Sequence, residues 1–229
     1  MNADKIENFE APETKFLRVL IVFAHPEPNS LNGVMKDLAA KTLRNNGHEV
    51  KISDLYGMRF KAVLDQEDFS QRHNSETFNP MMEQVNAVGT GSLAQDAKDE
   101  VEKIKWADMI IFQFPVWWTS PPAILKGWID RVFLPGVVHN IAEGKMYDTG
   151  LLKGKKAMLS FTTGATKDVY SSEGPHGDLD EIFKFITHNI LELTGLEVLP
   201  SFGVYGPVMM SKEDVKEELE KFKQTVNSL

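Results

Sequence analysis

The chain has 229 residues, 42% of them hydrophobic, with 33 acidic residues against 25 basic ones and a net charge of −8. That length supports one large domain with a substantial core, and the acidic balance argues against nonspecific nucleic-acid or anionic-membrane binding. With no cysteine present, disulfides, thiolate nucleophiles and cysteine-held metal or iron–sulfur centres are excluded.

Residues 1–15 are polar and acidic, unlike a secretory signal. They read as a flexible N-terminal extension before a single domain over residues 16–229. No apolar run approaches the ~20 residues that span a bilayer, so the expectation is a cytoplasmic protein without stable membrane insertion. Residues 17–24, Leu-Arg-Val-Leu-Ile-Val-Phe-Ala, form a nearly continuous apolar run suited to a buried parallel strand. A helix is predicted over 32–46, with Val34, Met35, Leu38, Ala39 and Leu43 at helical spacing and Gly47 as its stop. Residues 49–53 form a second strand. Residues 54–91, with Gly57, Pro80, Gly89 and Gly91, read as a long excursion holding a short helix near 65–72. A helix over 93–105 leads to the apolar strand 109–114. Pro121-Pro122 opens a helix over 123–133. Strand 157–161, a helix over 178–193, a strand over 197–204 and a polar helix over 212–227 complete the chain.

This alternation calls for a parallel sheet with helices on both faces, joined by right-handed crossovers. Five strands fit an α/β arrangement that resembles the flavodoxin-like order 2-1-3-4-5. In that order, the loops after strands 1, 3 and 4 converge on the crevice at the carboxyl edge. No GxGxxG, P-loop, HExxH or Gly-x-Ser-x-Gly elbow is present, and no histidine cluster has metal-ligand spacing, so no metal is expected.

The first loop offers Ser30 and Asn32 at a helix N-terminus, where an anion is favoured, although either residue also suits a cap. His25 either contacts a ligand phosphate or ends the strand. In the second loop, Pro115-Val116-Trp117-Trp118, two adjacent tryptophans cannot both enter the core, so at least one faces a ligand or a subunit. The third loop carries Thr162, Thr163 and Gly164 off the strand, then Tyr170 and His176, which are suited to stabilising a charge that appears during reaction. Asp178 suits a helix N-cap.

Four segments, in order, resemble the NAD(P)H:quinone oxidoreductase family, the DT-diaphorase-like flavoproteins. They are Leu20 to His25 with Ser30-Leu31-Asn32, Asp54-Leu55-Tyr56-Gly57-Met58, Phe112-Gln113-Phe114-Pro115 with Trp118 and residues 122–128, and Thr162-Thr163-Gly164 with Tyr170 and residues 174–178. The resemblance implies a homodimer with FAD, or FMN as the alternative, and NADPH or NADH as hydride donor. The acceptor would be a quinone or another small aromatic compound, azo and nitroaromatic compounds included. By the same resemblance, His25, Ser30, Leu31 and Asn32 would hold the pyrophosphate and ribityl region, and Pro115, Val116, Trp117 and Trp118 would line the ring. Thr162, Thr163 and Gly164 would meet its polar edge, with Tyr170 and His176 as catalytic residues near N1 and O2. The chain departs from the family's pattern at Thr119, where an aromatic is familiar, at Ala165, where a second glycine is familiar, and over 136–141, which lack aromatics. Two other readings are a flavodoxin-like electron carrier and a regulatory subunit of a potassium-efflux system.

Overall fold

The computed structural model describes residues 16–229, so the N-terminal extension read from residues 1–15 lies outside the described residues. Strands β1 (Arg18–Phe23), β2 (Glu49–Asp54), β3 (Met109–Pro115), β4 (Lys156–Thr163) and β5 (Glu197–Val198) form a parallel sheet in the order β2-β1-β3-β4-β5. The expected topology is therefore present. The expected last strand is two pieces: a sixth strand, β6 (Phe202–Tyr205), also pairs with β4. Pro200 lies between β5 and β6; it has no N–H to donate to a ladder, and β6 resumes pairing farther along the same edge.

Helices α1 (Leu31–Asn45), α2 (Pro80–Thr90), α3 (Gln95–Trp106), α4 (Ala123–Val132), α5 (Leu179–Ile182), α6 (Lys184–Ile186) and α7 (Lys212–Asn227) complete the regular structure. Side chains alternate across each strand, which sorts the core into two layers. Val19, Ile21, Met109, Ile111 and Met158 pack with Met35 and Leu43 of α1 and Phe222 of α7. Leu20, Val22, Ile110, Phe112 and Leu159 face Ile104, Trp128, Phe183 and Leu191. The two central strands are apolar along nearly their whole length because both of their faces are covered.

The helix expected over 178–193 is broken into α5, α6 and a π-turn at Thr187–Leu191. Phe183, Ile186 and Leu191 are all buried, yet the last two are five residues apart. An α-helix would turn those two away from one another, whereas a π-turn brings them back to one face.

The excursion contains a full helix, α2, where only a short helix near 65–72 is legible; the latter is a single turn at Gln66–Asp68. Its anchor is Arg131 of α4. The guanidinium donates to Asp68 at 2.7 and 3.0 Å, to Asp96 at 2.7 and 2.9 Å, and to the Lys61 carbonyl at 2.7 Å. Arg131 and Asp68 are each only 1% exposed. A Cβ at Gly127 would lie 2.1 Å from the Ala62 carbonyl oxygen, so the excursion presses directly on α4.

Removing one partner of a buried ion pair leaves the other charge uncompensated, at a cost of about 3–5 kcal/mol. Arg131→Met is therefore expected to lower the unfolding free energy by that scale, read as a lower urea midpoint, and adding Asp68→Asn should recover part of the loss. An unchanged midpoint in the single variant would show that the excursion is anchored elsewhere.

Candidate active site

The loops that leave β1, β3, β4 and β6 meet at the carboxyl edge of the sheet. A crevice of about 320 Å³ there is lined by His25, Ser30, Leu31, Asn32, Thr162, Pro207, Val208 and Val215. Five of the residues expected from sequence are thus together. Ser30 caps α1 by accepting from the Gly33 N–H at 3.2 Å, so the expected capping role is present. The loop is tight: a Cβ at Gly33 would sit 1.8 Å from the Pro28 carbonyl oxygen. His25 Nδ1 lies 3.0 Å from both the Glu27 backbone nitrogen and the Glu27 carbonyl oxygen, so the backbone of the first loop holds the ring. No acidic residue occupies the first turn of α1, so the positive end of its dipole is uncompensated by a carboxylate there.

Asn32 and Thr162 join this crevice to the core. Gln113 Nε2 donates to Asn32 Oδ1 at 2.8 Å, and Asn32 Nδ2 donates to Thr162 Oγ1 at 2.8 Å. Beside them, Pro115 and Val116 are buried, and Val116 N–H donates to the Thr162 carbonyl at 2.7 Å. Trp117 and Trp118 then turn outward, Trp118 being fully exposed, as expected of at least one. Trp117 N–H donates to Ser120 O at 2.9 Å, and Ser120 N–H to Trp117 O at 3.1 Å. Between them, Trp118 and Thr119 take φ of 51° and 58°, the sign pattern of a type I′ turn, which ordinarily uses Asn-Gly. A β-branched residue in this region is strained. The Trp117 and His25 rings lie 6.1 Å apart, so the wall and the first loop touch.

Thr163 and Gly164 continue from β4. The Thr163 hydroxyl donates to the Ala165 carbonyl at 2.6 Å, and Gly206 N–H donates to the Thr163 carbonyl at 3.1 Å. Tyr170 and His176 face each other with ring centroids 5.3 Å apart, and the backbone closes beneath them through His176 N–H to Val169 O at 3.2 Å. Asp178 is a helix cap, accepting from Asp180 N–H at 2.8 Å.

Tyr205, Pro207, Val208 and Gln113 are among the contributors not singled out from sequence. Tyr205 packs 6.3 Å from Tyr170, and its phenol is pushed up to about 12, first by burial and then by the Asp180 and Asp178 carboxylates. Pro207 and Val208 enter from the loop after β6. Gln113 carried a legible signal, a lone amide in an otherwise apolar strand; the others follow the strand read over 197–204, whose loop was not among those expected to converge. A larger cleft of about 440 Å³, lined by residues that include Tyr147, Lys153, His188 and Glu192, lies at the opposite, amino edge of β4 and β5. It receives none of the crevice loops, so the site is placed at the carboxyl edge. Among the described residues no group of three or more His, Asp or Glu could hold a metal ion.

The sheet order and the position of the crevice define a flavodoxin-like protein, and a family profile described as flavodoxin-like fold matches residues 17–228. The chain is 39% identical to human ribosyldihydronicotinamide dehydrogenase (quinone) over 93% of this chain and 91% of that one. It is 41% identical to rat NAD(P)H dehydrogenase (quinone) 1, over 82% and 68%. A putative quinone reductase from Klebsiella pneumoniae superimposes with a TM-score of 0.88 at 38% identity, over 93% of this chain and 84% of that one. The chain belongs to the NAD(P)H:quinone oxidoreductase family of flavodoxin-like enzymes.

Thr119→Gly should relieve the turn and raise stability by about 1 kcal/mol; thermal unfolding that moves downward instead would remove the strain assignment. At Tyr205 the folded value of about 12 lies above the unfolded value of about 10. Its contribution to stability is therefore complete below about pH 10 and is lost as pH rises toward 12. In a spectrophotometric titration, Tyr205→Phe is expected to delete the highest phenolate step; a retained step would assign it to another tyrosine.

Proposed function

We propose that the protein is a flavin-dependent NAD(P)H:quinone oxidoreductase, a cytoplasmic homodimer with FAD, that transfers two electrons by ping-pong kinetics. The observation that carries this reading is the meeting, at one sheet edge, of an acid-free helix N-terminus, an exposed pair of indoles and the Tyr170–His176 couple. These residues fit a flavin: the helix end suits a phosphate, and the indoles suit a planar ring. FAD over FMN follows from the family resemblance.

Bound there, the flavin would supply hydride acceptance from a dihydronicotinamide and donation to a quinone. His25, Ser30, Leu31 and Asn32 hold its phosphate and ribityl side. Pro115, Val116, Trp117 and Trp118 wall the ring, and Thr162, Thr163 and Gly164 meet its polar edge. Tyr170 and His176 would donate hydrogen bonds to the ring's N1 and O2 side, where donors stabilise developing negative charge. One crevice serving donor and acceptor in turn would give ping-pong kinetics. Azo and nitroaromatic compounds, planar like quinones, are secondary acceptors. The homodimer is supported by α2, whose Met81, Met82, Val85 and Val88 expose an apolar face. A pure electron carrier does not account for Tyr170 and His176, and no observation favours the regulatory reading.

The test is an anaerobic absorbance spectrum before and after one equivalent of NADPH, then with menadione. NADH and ribosyldihydronicotinamide, the donor named for the human relative, complete the series. A flavin band that bleaches and is restored supports the reading; a band indifferent to every donor overturns it. Cofactor released on denaturation distinguishes FAD from FMN. His176→Ala and Tyr170→Phe should retain flavin but slow its reduction about 100-fold, the low end of general acid–base effects. Unchanged rates in both variants would remove them from catalysis.

A further inference from the structure

Gln113 is fully buried in the middle of the sheet, between Phe112 and Phe114 on an otherwise apolar strand. Its amide orientation is set by its neighbours. Nε2 faces two acceptors, Asn32 Oδ1 at 2.8 Å and Met35 Sδ at 3.9 Å; turning Gln113 over alone would set two oxygens against each other, and turning Gln113 and Asn32 over together would aim the Gln113 carbonyl oxygen at the Met35 sulfur. Oε1 has no partner, and neither does the hydroxyl of Ser160, its lateral neighbour across the β3–β4 ladder.

A buried polar group left half-satisfied costs about 1–3 kcal/mol relative to a paired one, so the fold alone gives no reason for an amide here. The hydrogen bonds it does make are directional. Gln113 donates to Asn32, which forces the Asn32 amide to present Nδ2 to Thr162 Oγ1 at 2.8 Å. Having accepted that bond, the Thr162 hydroxyl has its own proton left to donate. Asn32 and Thr162 both line the crevice.

We infer that Gln113 is a positioning residue that acts through Asn32 to aim the Thr162 hydroxyl proton at the bound cofactor. It touches no ligand itself. A donor oriented before the ligand arrives need not be reorganised on binding, and the chain Gln113–Asn32–Thr162 makes that orientation a property of the core. The ligand class it serves is one that presents an oxygen or nitrogen acceptor at the carboxyl end of β4, as a flavin does. The inference rests on the flavin reading above.

The test is a double-mutant cycle on flavin affinity, read from fluorescence quenching as flavin is added back to the apoprotein, with no turnover involved. Gln113→Leu and Thr162→Val should each weaken binding about ten-fold, the scale of one lost hydrogen bond. If Gln113 acts through Thr162, the double variant should also be about ten-fold weaker. A roughly hundred-fold loss in the double variant would mean independent effects and overturn the inference. So would unchanged affinity in either single variant. Gln113→Met, unbranched and of similar length, replaces the Leu variant should that fail to fold, with apoprotein thermal unfolding as the control. A wild-type chain that takes up no flavin sinks the flavin reading itself; a wild type that binds flavin with multiplicative losses sinks only the coupling.

Discussion

β1 and β3 lie side by side and parallel, each buried on both faces, and the chain leaves their carboxyl ends toward opposite sides of the sheet. After β1 it enters α1, which packs with α7 on one layer; after β3 it enters α4, on the other. Two neighbouring strands whose continuations diverge cannot cover the gap between them, and a crevice opens there as a consequence of topology. His25, Asn32, Val116 and Trp117 reach one place because β1 and β3 are neighbours. Their separation in sequence is irrelevant to that meeting. Hydrogen bonds across the divide, from Gln113 on β3 to Asn32 on α1 and on to Thr162 on β4, then tie the floor of the gap together.

A divergent edge alone would be soft, and the second constraint stiffens it. Arg131 gathers Asp68, Asp96 and the Lys61 carbonyl beneath α4, so the helix that follows the tryptophan loop cannot slide relative to the excursion. The loop is thus held at one end by β3 and at the other by Pro121, Pro122 and an anchored helix. Strain at Trp118 and Thr119 persists only where its surroundings over-determine it, and both ends here are fixed. The result is a rigid wall that projects an indole into solvent.

The elements read most surely from sequence are those whose burial is simplest. β1, β3 and β4 are apolar because both faces are covered, and α1 announces itself with Ser30 before it and Gly47 after it. α2 escaped because its apolar residues Met81, Met82, Val85 and Val88 point away from the core, while the asparagine and proline that start it read equally well as a turn. The π-turn at Thr187–Leu191 escaped for a related reason: a five-residue spacing of buried side chains has no meaning in a single helical period. At the site, the loops following β1, β3 and β4 were legible because strand ends were legible. Tyr205, Pro207 and Val208 were not singled out: the strand read over 197–204 ends within one residue of β6, but only the loops after strands 1, 3 and 4 were expected to converge, and the break of that strand into β5 and β6 carries its end to the edge of β4.

Charge is distributed in keeping with the site's chemistry. The chain carries a net charge of −8, yet the first turn of α1 holds no carboxylate, and the nearest loop acid, Glu27, is occupied by the Asn29 N–H at 2.8 Å. Across the crevice the pattern reverses. Asp178 and Asp180 stand close enough to Tyr205 to help push its phenol up to about 12, so that ring stays a neutral, packed neighbour of Tyr170 at any physiological pH. The first loop thus offers a helix dipole and backbone donors to an anion, while the loop after β4 packs Tyr170 against an uncharged Tyr205. An anionic phosphate tail and a neutral ring would need opposite environments a few ångströms apart. Helix geometry provides the first without a fixed cation, and desolvation provides the second without a hydrogen bond.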